Sequence, residues 1–101
     1  MTCLNDTYNW LADTKNKKDY TIIHATVERK SDNLRHPHAV IYNKITGDIH
    51  EVSNDFKNKN IKLPFMLWIQ LGKVSNVKQY DFNEMRDKLL KTKKWDFYHM
   101  D

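Results

Sequence analysis

Apolar positions along the chain change their period several times, and each change marks an element. In residues 2–14, Leu4, Tyr8, Leu11 and Ala12 recur at helical spacing behind Thr2 as a cap, which predicts an amphipathic helix. Lys15 to Asp19 is a polar break. From Tyr20 to Glu28 the period falls to two, with Ile23, Ala25 and Val27 on one strand face and Tyr20, Ile22, His24 and Thr26 on the other. A polar loop, Ser31 to His36, follows. Pro37 has no amide donor and is expected to delay the second strand to His38–Asn43. Thr46-Gly47 then turns the chain into a third strand, Asp48 to Ser53.

Asn54 to Lys62 reads as a polar connection. Pro64 is placed to open a second helix through Phe65, Leu67, Trp68, Ile69 and Leu71, which Gly72 ends. That helix is apolar nearly all round, so the sheet is expected to cover it. Val74 to Tyr80 predicts a short edge strand. Asp81 and Glu84 form a capping box for a last helix from Phe82 to about Lys93, and Trp95 to Asp101 predicts an aromatic tail docked on the body. Neither a repeat nor a domain boundary interrupts residues 1–101. The order α-β-β-β-α-β-α reads as one α+β domain, an antiparallel sheet with helices packed on it.

Composition narrows the partners. The 101 residues are 40% hydrophobic with only 2 Gly and 2 Pro, which excludes linker-like and low-complexity chains. The net charge of +4 comes from scattered lysines whose densest groups lie near helix ends. Cations there suit the helix dipole, so nucleic acid is not an expected partner. The opening residues lack the charged and apolar regions of a signal peptide, and no run reaches the roughly 18 apolar residues of a membrane span. The single cysteine forms no internal disulfide. A cytoplasmic protein without membrane contact is expected.

Candidate chemistry starts with Cys3, in the first turn of the predicted helix, where free amides favour a thiolate nucleophile. The bland alternative is a small buried hydrophobe. His38 begins a strand, and Glu51 lies on the next one. If two or four residues join those strands, His38 and Glu51 share a face with Val40 and Tyr42, and the carboxylate can orient the imidazole. A three- or five-residue loop would separate them. Trp10 lies two turns beyond Cys3 on the same helical side and can line a substrate groove, or simply flank the core. His24, His36, His38 and Glu51 also supply metal-ligand types, but His-Pro-His is no zinc spacing and one cysteine makes no structural zinc site. Neither a metal nor a cofactor is expected. His50 and His99 read as surface residues.

The segments Tyr20-Thr-Ile-Ile-His-Ala-Thr-Val, Pro37-His-Ala-Val-Ile and Gly47-Asp-Ile-His-Glu resemble small papain-like and transglutaminase-like proteins. Those carry a cysteine on an N-terminal helix, a strand reading approximately His-Ala-Trp-Val-Glu, and a strand with an acidic or amide residue. The resemblance covers most of the chain and implies a Cys3–His38–Glu51 triad. Val40 stands where the family has Trp, and Glu51 where it commonly has Asp. With no Gln upstream of Cys3, the resemblance leaves a backbone amide, Asn5 or His24 to supply the oxyanion donor, beside Trp10 in the substrate site. It implies a cysteine hydrolase or acyl transferase acting on a protein or peptide. The alternative is a binding module of the same fold, of phage or mobile-element type, that inhibits a host protein.

Overall fold

The computed structural model describes residues 3–28, 33–52 and 61–92, and the side chains of these except 3–5 and 92. Among the described residues the elements run α1 (Cys3–Ala12), a 3-10 turn (Lys17–Asp19), β1 (Tyr20–Glu28), β2 (Arg35–Asn43), β3 (Asp48–His50), β4 (Lys62–Pro64), α2 (Phe65–Gly72), β5 (Ser75–Tyr80) and α3 (Phe82–Thr92). The strands form one sheet in the order β4-β3-β2-β1-β5, and every neighbouring pair is antiparallel. The chain is therefore α+β. No helix among the described residues is long and apolar enough to cross a membrane.

The alternation read in β1 sorts the two sides of the sheet. Ile22 faces α1 and α3, and with Leu11, Ala39, Ile41, Met85 and Leu89 it forms one buried cluster. Tyr8 stacks on Phe82 at 5.3 Å between ring centroids, tying those two helices together. On the opposite side Ile23, Ala25, Val27, Val40 and Ile49 pack with Trp68 of α2. The sheet is thus the middle of three layers, because both of its faces are apolar and each needs a cover.

Local chemistry explains the connections. Asn43 Oδ1 accepts from the amides of Ile45 (2.9 Å) and Thr46 (3.2 Å), and Gly47 adopts φ +80° as the turn closes. Asp81 Oδ1 accepts from the Glu84 amide at 2.7 Å while Glu84 Oε1 accepts from the Asp81 amide at 3.0 Å, the reciprocal box that starts α3. Gly72 is the last residue of α2, and Lys73 takes the left-handed position after it, φ 47°. A Cβ on Gly72 would stand 3.0 Å from Val74 Cγ2, so close packing explains that glycine.

Four expectations change, the first being the third strand, which ends at His50 instead of running on to Ser53. Strand β2 begins at Arg35 and runs through Pro37, which pairs with Thr26. The amide of Lys44 donates to Asp19 O at 2.9 Å, which sets the phase of the β1–β2 ladder. Counting residue by residue from that pair, Pro37 and Ala39 direct their backbone groups away from β1, and on that side no described strand pairs with residues 35–40. A missing amide costs nothing there. Lys62–Pro64 is a fourth strand where a connection and a helix start were expected, paired with Asp48–His50. Strand β5 carries an extra residue: Asn76 and Val77 lie opposite Ala25 alone, and Asn76 has φ 54°. The expected aromatic tail lies outside the described residues.

Candidate functional site

Four residues, Lys44 to Gly47, separate β2 from β3. The register pairs Tyr42 with Ile49 and Ile41 with His50, so even positions of β2 share a face with odd positions beyond the turn. His38 and Glu51 therefore meet. His38 Nε2 donates to Glu51, whose two carboxylate oxygens both lie 2.9 Å away. Each side chain keeps only 8% of its surface in water. A carboxylate held this closely fixes Nε2 as the protonated nitrogen, so the lone pair of the neutral ring lies on Nδ1.

Helix α1 packs on the other side of the sheet and contacts β2 at Ala39, beside His38 in sequence. Thr7, fully buried, donates from Oγ1 to the Ala39 carbonyl at 3.3 Å. That carbonyl points off the edge where β3 has already ended, next to His38 in sequence. Cys3 begins α1, one turn before Thr7. The Cys3 and Asn5 side chains lie outside the described residues.

The register also separates residues that the sequence left together. His24 opposes Ala39, whereas His38 opposes Ala25, so the two imidazoles belong to opposite faces. His24 is buried on the face covered by α1 and α3. His36 and His38 share a strand face, because β2 starts before Pro37, and His36 Nδ1 donates to the Pro37 carbonyl at 3.1 Å. Among the described residues no three His, Cys, Asp or Glu side chains gather as metal ligands.

No family model, curated protein or solved structure matches this chain. The site is accordingly read from its own geometry.

Trp10 lines a cleft of about 280 Å³ on the α1 side, together with Tyr20, His50, Val52, Ile61 and Lys62. Glu51 contributes to that wall as well, which places the cleft beside the His38–Glu51 pair. His50, expected at the surface, is half-buried against the rings of Trp10 and Tyr20, each at 6.1 Å. Burial and then the Lys62 ammonium lower its pKa from the ordinary 6.5, against an opposing pull from Asp48. Sequence reasoning missed Thr7, Tyr20, His50 and Lys62. Tyr20 and Trp10 carried an available signal, two large aromatics on faces that the strand and helix periods turn toward each other.

Proposed function

We propose that the protein is a thiol enzyme acting on an amide or ester carbonyl of a protein or peptide, of papain-like or transglutaminase-like kind. The observation that carries this reading is the buried His38–Glu51 pair, next to Ala39 of β2, to which Thr7 ties the cysteine-bearing helix. Nδ1 of His38 takes the Cys3 thiol proton, while Glu51 orients the ring and balances its charge. The thiolate adds to the carbonyl carbon. As the C–N or C–O bond breaks, the leaving group takes the proton from Nδ1, and an acyl thioester remains. Water or an amine then attacks, gives its proton to Nδ1, and releases the Cys3 sulfur.

The test is the alkylation rate of Cys3 against pH, read by intact mass, in the native chain and in His38→Ala and Glu51→Gln. We expect a midpoint well below the ordinary thiol value of about 8.5, returned toward it by His38→Ala and partly by Glu51→Gln. A native midpoint near that value, or one indifferent to His38→Ala, would overturn the proposal.

A second reading, a binding module that inhibits a host protein, draws on the outer side of α2. Met66, Leu67 and Leu71 are exposed there, Met66 by 63%. Cys3→Ala separates the two, since it abolishes the cellular effect of an enzyme and spares that of a binder.

A further inference from the structure

The cleft beside Glu51 has a composition of its own. Trp10 meets Tyr20 edge-on at 5.2 Å, and both meet His50 at 6.1 Å, so three rings form one wall. Val52 and Ile61 add apolar surface. Lys62 stands opposite His50 in the β3–β4 ladder and lines the same space. The Glu51 carboxylate is engaged with His38 on the other face, so among the described lining residues Lys62 supplies the charge offered to an occupant. Its field is already felt by His50, whose protonation it opposes.

Size and chemistry together restrict what fits. About 280 Å³ lies at the lower limit of small-molecule pockets, roughly 300–1,000 Å³, and suits one ring with a short substituent. Ring walls favour an aromatic occupant through edge-to-face contact. The Lys62 ammonium at such a wall favours a carboxylate over an amine on that occupant.

We propose that this cleft binds an aromatic group carrying a carboxylate, in the form of an aromatic residue of a peptide with an acidic group beside it. That the peptide is a substrate rests on the thiol-enzyme reading; the binding preference does not. The cleft shares Glu51 with the pair at the β2 edge, so an aromatic residue seated here holds the neighbouring peptide bonds near His38.

Two probes with the same ring and opposite charge test the preference: indole-3-acetate and tryptamine, each titrated while the Trp10 indole N–H resonance is followed. Indole-3-acetate should shift that resonance saturably and bind about tenfold more tightly than tryptamine, the scale of one well-placed charged contact. Lys62→Gln should bring the two affinities together, and Lys62→Glu should invert their order. Lys62 is exposed, so neither variant endangers the fold. Absence of a saturable shift, equal affinities in the native chain, or a preference unchanged by Lys62→Gln would overturn the proposal. Alkylation of Cys3 in the same samples keeps the two failures apart. Probe binding with an ordinary thiol sinks the enzyme and keeps the cleft, whereas a reactive thiol without probe binding does the reverse.

Discussion

His38 and His50 occupy adjacent strands, each at least half-buried, and their surroundings give them opposite characters. His38 shares a face with Ala25 and Val40 and has a carboxylate 2.9 Å from Nε2, so its ring is oriented and its positive form has a partner. His50 lies on the other face between Trp10 and Tyr20, where burial and then the Lys62 ammonium oppose its protonation more than Asp48 favours it. On the proposed reading His38 exchanges protons, whereas His50 is held toward its neutral form. A single sheet divides the two roles because side chains alternate across it.

The same division predicts unequal dependence on the two covers. One short helix covers the His38 face, and Trp68 is its buried residue. Two helices cover the His50 face, anchored by Leu11, Met85 and Leu89. Trp68→Ala should therefore cost about 3–5 kcal/mol and Leu11→Ala an amount nearer the low end of its usual range of about 2–5 kcal/mol. Urea unfolding of both variants decides this, and an equal or greater loss for Leu11→Ala would dissolve the asymmetry.

Smaller in scale is the tie between the faces. Thr7→Val keeps the volume and removes the hydroxyl that reaches the Ala39 carbonyl. A loss of about 1 kcal/mol in urea unfolding, with faster amide exchange in α1, is expected from one buried hydrogen bond. No change in either would mean that α1 is held to the β2 edge by packing alone.

The gentlest perturbation is pH. The folded His50 imidazole takes up its proton at lower pH than the unfolded one, so this group favours the fold fully above about 6.5 and withdraws that support as pH falls. An NMR titration should place the His50 midpoint below 6.5, and Lys62→Ala should raise it partway, since burial is the larger cause. A midpoint at or above 6.5 would remove the contrast with which this comparison began.

Much of the architecture was legible because period-two alternation in Tyr20–Glu28 and helical spacing in α1 and α3 are local signals. The contact between His38 and Glu51 was legible too, once loop length was tied to face parity, because that rule needs only counting. Strand β4 was not, since three residues ending in proline carry no period. Pro37 inside β2 was misread for a different reason. Its acceptability depends on which side of β2 lacks a neighbour, a property of the assembled sheet. The ring cleft lay hidden likewise: Trp10, Tyr20, His50 and Lys62 come from four elements, and only the fold makes them neighbours.

Strand β5 has one further consequence. It borders the sheet, yet Asn76 and Val77 crowd against Ala25 and break its regular ladder, while the opposite border, β4, spans three residues and ends in Pro64. A foreign strand that approaches either border strand, β4 or β5, finds no long, flat run of free amides and carbonyls among the described residues. The molecule can thus leave Met66 and Leu71 uncovered on α2 without offering either border strand as a template for fibrils.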